Sequence, residues 1–231
     1  METICEVHSL GSMAYQTAWD LQNRLAEERS RAAACDRLLL VEHPHTYTFG
    51  SSGHAENLLL SPEELTRRGI ALFHADRGGD ITYHGPGQLV GYPIIKLPRG
   101  ENGLRADVVG YVRKLETVII RTLADFDITG EPIAGLTGVW VPTPSGAAKV
   151  AAIGVKVNTR IVTKHGFALN VNTDLSYFDG IIPCGIDDKG VTSMAALLGQ
   201  SLAMSVVTER LIVHFGAVFG FEIITLTGQR L

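Results

Sequence analysis

Cysteine is scarce in this chain: Cys5, Cys35 and Cys184 are an odd number at wide spacing, which argues against a disulfide framework and fits a reducing cytoplasm. The first ten residues carry acidic groups where a signal peptide would carry basic ones, so a cytoplasmic location is expected. No Lys/Arg-rich run is present and the formal net charge is −4, so nothing in the electrostatics calls for a nucleic-acid partner. Long apolar runs are missing too. The most apolar late stretch, 211–224, is interrupted by His214 and Glu222 and falls short of the roughly 20 residues that span a bilayer, so no membrane association is expected. Internal repeats, low-complexity segments and linkers are also absent, and the 231 residues read as a single domain over 1–231.

With 45% hydrophobic and 19% charged residues, the chain has the material for a substantial core. It is organised around Arg77-Gly78-Gly79-Asp80-Ile81-Thr82-Tyr83-His84-Gly85-Pro86-Gly87-Gln88. Glycines at this density let the backbone turn through positive φ, approach a ligand closely and leave N–H groups free to point inward. An ordinary hairpin connection is the plain alternative. It is disfavoured by the charged and imidazole groups set among the glycines and by the strand that follows.

Around this stretch the pattern predicts a strand at 4–10, then a helix over 15–34 capped by Ser12, and a buried strand at 37–42. A short helix starts at Pro62 and stops at Gly69, and a strand at 70–75 leads into the glycine loop. The strand leaving the loop, 88–97, contains Pro93, which places it at an edge or near its end. Apolar positions at helical spacing give a second long helix over 104–126. Residues 138–142 and 147–157 form a hairpin, 165–172 a further strand, 204–219 a helix and 221–226 a last strand. Paired histidines at His43 and His45, with His54 nearby, invite a metal reading. Proline between them and the lack of a recognised ligand spacing speak against it, and no metal site is expected.

Two residues stand out chemically. Strict alternation puts Lys149 in a row with Ala151, Ile153, Val155 and Val157, and an amine at the end of an apolar row is a candidate for a depressed pKa. The other reading leaves Lys149 at the solvent end of the strand with its head in water. Cys5 and Cys35 read as small buried hydrophobes, whereas Cys184 lies between Pro183 and Gly185 in a loop that can present its sulfur. A thiol nucleophile needs a basic or cationic neighbour, and Lys149, His84 and His165 are the groups on offer. In 165–172, Phe167, Leu169 and Val171 alternate with the small or polar Gly166, Ala168, Asn170 and Asn172, a face with room for a ligand.

Four stretches in order, the 77–93 segment, Lys149-Val150-Ala151-Ala152-Ile153-Gly154, His165-Gly166-Phe167-Ala168-Leu169-Asn170 and Pro183-Cys184-Gly185-Ile186, resemble the motif set of the octanoyltransferases of lipoate biosynthesis. The resemblance spans about 38–198. It implies an α/β (α+β) fold like the catalytic domain of biotin and lipoate protein ligases, with a mixed central β-sheet and flanking helices. It implies octanoyl transfer from octanoyl-acyl carrier protein to a lysine amine, with no cofactor, ATP or metal. The acceptors implied are the lipoyl domains of 2-oxoacid dehydrogenase complexes and the glycine cleavage H protein, and a monomer is expected.

On that resemblance Cys184 carries the acyl group as a thioester and Lys149 lowers its pKa. Arg77, Gly78, Gly79, Asp80, Ile81, Thr82, Tyr83 and His84 are expected to bind substrate and stabilise the oxyanion through backbone N–H groups. Ala152, Ile153 and Gly154, with Gly166, Phe167 and Ala168, would form the opposite wall. Arg77 could instead orient the loop by pairing with Asp80. A basic patch for the acidic carrier protein is expected from Arg67, Arg68 and Arg105. Three rivals remain: an ATP-dependent ligase, which needs no cysteine; a non-catalytic binder of lipoyl domains; and a cysteine hydrolase.

Overall fold

The computed structural model describes residues 3–31, 34–99, 106–182 and 189–226. Its strands are β1 (Thr3–Ser12), β2 (Asp36–Glu42), β3 (Thr46–Phe49), β4 (Ala71–His74), β5 (Thr82–His84), β6 (Gln88–Ile94), β7 (Glu131–Ile133), β8 (Leu136–Thr143), β9 (Gly146–Val157), β10 (Thr163–Asn170), β11 (Gly190–Val191) and β12 (Phe221–Leu226). The helices are α1 (Tyr15–Ser30), α2 (Pro62–Arg67), α3 (Val108–Ala124), α4 (Met194–Leu198) and α5 (Met204–Phe219), with short 3-10 turns at Ala55–Asn57 and Leu175–Gly180.

The large sheet runs β12-β1-β2-β6-β10-β9-β8-β7, with β11 added alongside β9, and a small sheet runs β4-β3-β5. β1 is parallel to both β2 and β12, while β2, β6, β10, β9 and β8 follow one another antiparallel. The uninterrupted Leu38-Leu39-Leu40-Val41 run reflects burial on both faces. Leu38 and Leu40 join the core with Leu115, Ile119, Leu211 and Phe215 of α3 and α5. Leu39 and Val41 join the opposite core with Ala18, Leu25 and Ala26 of α1. A third cluster, including Tyr47, Ile81, Tyr83 and Phe178, belongs to the small sheet and its surroundings.

Several local expectations change. α1 ends at Ser30, and its N-cap is Ala14 without a side-chain cap, because Ser12 is the last residue of β1. β6 lies between β2 and β10 rather than at an edge. Pro93 is tolerated because the strand ends one residue later, at Ile94, where the Thr163 side chain takes over: its hydroxyl donates to Pro93 O at 2.6 Å and accepts from Ile95 N at 3.0 Å. α2 is closed by a capping box in which Ser61 and Glu64 exchange hydrogen bonds, and α3 starts at an Asp107 cap that accepts from Gly110 N at 2.8 Å.

Candidate active site

A cavity of about 750 Å³ lies between the glycine loop and the large sheet. Its floor is built from neighbouring strands: Ala152 of β9 pairs with Ala168 of β10, which pairs with Val90 of β6, and Gly154 pairs with Gly166 one step along. Alternation explains this floor, since Ala151 and Leu169 turn to the core under α3 and α5. Small side chains on the near face leave the volume empty. The cavity also touches Val112 of α3 and Leu136 of β8.

The glycine loop is held mainly by its carbonyls. Ser51 N donates to Arg77 O at 2.8 Å, Ser52 N to Gly79 O at 3.1 Å and Gly50 N to Asp80 O at 3.1 Å. Gly79 sits at φ +85°, a conformation that costs glycine nothing. Gly78 N donates to Val155 O at 3.0 Å and ties the loop to β9, so this N–H and that of Ile81, which donates to Asp80 Oδ1 at 2.7 Å, are already committed. Oxyanion donors must therefore come from elsewhere than these two. The Arg77 guanidinium donates to Thr48 O, to Thr48 Oγ1 at 2.9 Å and to Gly78 O at 3.0 Å. The Asp80 carboxylate accepts from His54 N at 3.1 Å and from the Asn57 side-chain amide. These bonds hold the loop against Thr48, His54 and Asn57.

Lys149 is on the cavity wall, but not in the row that strict alternation gives. Across β8 and β9, Val139 pairs with Ala151 and Trp140 with Lys149, so Val150 is an extra residue, a β-bulge. Beyond the bulge the faces exchange. Val150 and Ala151 both enter the core under α3 and α5, and Lys149 shares the cavity side with Ala152 and Gly154. The solvent-end reading fails as well: Lys149 is 7% exposed. Its Nζ lies 4.7 Å from the centroid of the Trp140 ring, whose π-face attracts an ammonium group. Gly138 sits beside it at φ +121°, where a Cβ would stand 2.7 Å from Ala151 O and in ordinary contact with Lys149 Cε.

The segment 183–188, with Cys184, is outside the described residues, as is Arg105. Its described flanks are fixed. Ile182 N donates to Asn57 O at 2.8 Å, Val191 pairs with Lys149, and Thr192 N donates to Lys149 O at 2.9 Å. Before it, the 3-10 turn is clamped by aromatic rings. Tyr177 stacks on His45 at 4.0 Å and on Tyr83 at 5.1 Å, and the Tyr47 hydroxyl donates to Tyr177 O.

Three buried imidazoles surround the end of the cavity nearest α1. His165 Nε2 meets Asp76 Oδ1 at 2.7 Å, and burial pulls its pKa down to about 4 against the opposing pull of Asp76. His165 adopts φ +55°, a left-handed conformation that costs a residue other than glycine some energy. It is held there by Gln22 Oε1, which accepts from His165 N at 2.8 Å. His43 lies between Met13 O and the Tyr92 hydroxyl, at 2.7 Å from each, and burial lowers it to about 4. His84 is lowered well below its usual value, first by burial and then by His43. His45 bonds the Tyr83 hydroxyl at 2.8 Å and His54 is exposed beside Glu56, so the three histidines of the metal reading serve separate purposes. Burial also raises the Cys5 thiol; Cys5 is fully buried as expected and Cys35 half-buried.

Of the residues named from sequence, Arg77, Gly78, Gly79, Asp80, Ile81, Thr82, His84, Lys149, Ala152, Ile153, Gly154, Gly166, Phe167 and Ala168 all line the cavity. Tyr83 does not. As the odd member of β5 between Thr82 and His84, it turns to the small-sheet core. Arg67 and Arg68 are exposed at the end of α2 and do not line the cavity. Tyr15, Asn57, Val90 and Tyr92 line it without having been singled out. For Val90 and Tyr92 the signal was available in the alternation of β6.

A family model described as the lipoyl protein ligase A/B catalytic domain matches residues 14–216. The chain belongs to this family. It is 55% identical over 216 residues to an octanoyltransferase of Chloroflexus aurantiacus, covering 94% of each chain. It is 52% identical over 220 residues to an octanoyltransferase of Solibacter usitatus, covering 95% of each. Among solved structures, a bi-partite lipoate protein ligase from Thermoplasma acidophilum superposes with a TM-score of 0.71 at 16% identity, over 98% of this chain and 88% of the other. A biotin protein ligase from Aquifex aeolicus in complex with biotin gives a TM-score of 0.51 at 12% identity, over 93% and 70%. The fold is thus that of the lipoate and biotin protein ligase catalytic domains: a mixed sheet with helices outside it. No helix among the described residues is long and apolar enough to cross a membrane.

Proposed function

We propose that this chain is an octanoyltransferase of protein lipoylation that takes octanoyl from octanoyl-acyl carrier protein onto Cys184 and passes it to a lysine amine of a lipoyl domain. The acceptors are the lipoyl domains of 2-oxoacid dehydrogenase complexes and the glycine cleavage H protein. The observation that carries the reading is the placement of Lys149, a buried amine brought by the bulge onto the wall of a cavity floored by Ala152, Gly154, Gly166 and Ala168. Further support comes from the anchoring of the chain on both sides of 183–188 by Asn57 and Lys149, two cavity residues. The identity of 45–55% to octanoyltransferases favours this over an ATP-dependent ligase, to which the likeness at 12–16% is one of fold.

In the first half-reaction Lys149 takes the Cys184 proton, the thiolate attacks the donor thioester, and the departing pantetheine sulfur receives the proton. Thioester exchange is near balanced, whereas transfer to an amine forms an amide and runs downhill. Intact mass after incubation with octanoyl-acyl carrier protein tests the scheme. An octanoyl adduct removable by hydroxylamine is expected in the wild type, with strong loss in Lys149→Ala. An adduct in wild type that survives hydroxylamine, or undiminished acylation in Lys149→Ala, would overturn it.

A further inference from the structure

A gap between β8 and β9 leaves one main-chain edge of the large sheet open inside the cavity. Beyond Val139 and Ala151 no residue of β8 pairs with β9, although β9 runs on to Val157 beside β10. β8 turns away at Gly138, whose φ is +121° and whose N–H donates to the Glu116 carboxylate at 3.2 Å instead of crossing to β9. The cavity occupies the resulting slot. Gly135, Leu136 and Thr137 line it on one side, and Ile153, Gly154 and Val155 on the other. Gly135 and Thr137 are exposed, so the slot is also a way in from solvent.

The direction of the main-chain groups along the slot follows from the bonds around it. In an antiparallel strand the N–H and C=O of one residue point to the same side, and that side alternates from residue to residue. Val155 O accepts from Gly78 N at 3.0 Å, so Val155 points away from β10. Ile153, two residues earlier on the same ladder, points the same way. Ala151 is paired with Val139, and the Val155 carbonyl is taken by the glycine loop. Between these filled positions the N–H and C=O of Ile153 have no ladder partner, and no loop bond replaces one among the described residues. A donor and an acceptor left open at a half-buried position are costly unless water or a ligand supplies their bonds.

We propose that Ile153 binds the pantetheine arm that carries the acyl chain, its N–H donating to one amide carbonyl of the arm and its C=O accepting from the N–H of the other amide. The inference rests on the octanoyl-transfer reading given above and deepens it by naming what seats the donor. The opening is short, because Ala151 and the Val155 carbonyl on either side are already bonded. A peptide that adds to a sheet edge needs a run of such positions. In pantetheine a β-alanine unit lies between two amides, so one N–H and one C=O flank it as they flank a residue of a strand, with one extra methylene between them. That unit has no side chain, which suits a slot rimmed by Gly135, Thr137 and Gly154. No bond is made or broken at Ile153; its part is binding.

S-Octyl pantetheine, in which a thioether replaces the thioester, tests this without any transfer. Its binding to the protein is measured by titration calorimetry beside an analogue whose two arm amides are esters and so lack the N–H groups. An affinity about tenfold weaker is expected for the ester arm, the usual size of a hydrogen bond lost from a carbonyl that stays behind. Residue-resolved hydrogen exchange by NMR gives a second reading. The Ile153 N–H should exchange freely in the unliganded protein and at least about tenfold more slowly at saturation, while that of Ala151, already laddered to Val139, changes little. Equal affinity for the two arms, an Ile153 N–H protected without ligand, or no slowing on binding overturns the proposal. So does protection of Ile153 by an unmodified lipoyl domain and not by the arm, which would give the slot to the acceptor. Failure of octanoyl-acyl carrier protein to leave any adduct on the wild type, a separate measurement, would instead sink the octanoyl-transfer reading itself.

Discussion

Lys149 is an amine in a place where a hydrocarbon side chain would fit: 7% exposed and against the Trp140 ring. Methionine has nearly the same length and width. We expect Lys149→Met to remain folded, because a swap that conserves volume keeps the packing against Trp140. Acylation should fall by 10²-fold or more, since a proton acceptor is lost while the packing is kept. Thermal unfolding and adduct formation on one preparation check both halves. The identity of this residue was legible in the sequence; its orientation was not. Alternation assumes one residue per step on both strands, and nothing in Lys149-Val150-Ala151 announces that the ladder skips Val150. Tyr83, expected among the substrate-binding residues, instead packs in the small-sheet core and does not line the cavity. A motif names every residue of a strand, whereas a strand shows a ligand only every second one.

β9 and the glycine loop touch at glycine. A Cβ at Gly154 would stand 2.8 Å from Gly78 O and 3.2 Å from Arg77 Cδ. The carbonyl belongs to a backbone pinned by Gly78 N to Val155 O, so it has little freedom to retreat. Gly154→Ala should therefore push the loop off β9, costing about 1–3 kcal/mol as an overpacking change. Slower acylation should accompany the lower melting temperature; an unchanged melting temperature would mean that the loop yields freely. Helix positions were readable, because α3 and α5 carry apolar residues at 3.6 spacing and α2 has its Ser-Pro-Glu-Glu start. Strand neighbours were not. The central place of β6 depends on Val90 pairing with both Val41 and Ala168, contacts between residues far apart in the chain that no local pattern encodes.

At the scale of the whole molecule, the buried histidines tie stability to pH. His43 and His165 have folded pKa values of about 4 and His84 lies well below its usual value, whereas in the unfolded chain all three titrate near ~6.5. Between these limits the unfolded state binds more protons, so stability is lost as pH falls from about 6.5 towards 4, each pH unit adding about 1.4 kcal/mol per histidine. The groups facing them do not reverse the sign. Asp76 and its partner Lys164 border His165, and Arg77 lies near His84 and His165, where it opposes protonation. The melting temperature should be flat from pH 7 to 8 and fall steadily from pH 6.5 to 5. A flat profile down to pH 5 would mean that these imidazoles are protonated in the folded state. One feature also bears on how such chains are to be compared. Positions 149 and 152 differ in parity along β9 yet share a wall, because the count between them includes Val150. A deletion or insertion of a single residue there would leave all the chemistry-bearing side chains in the sequence while exchanging inside for outside, so in this protein the spacing is inherited information in its own right.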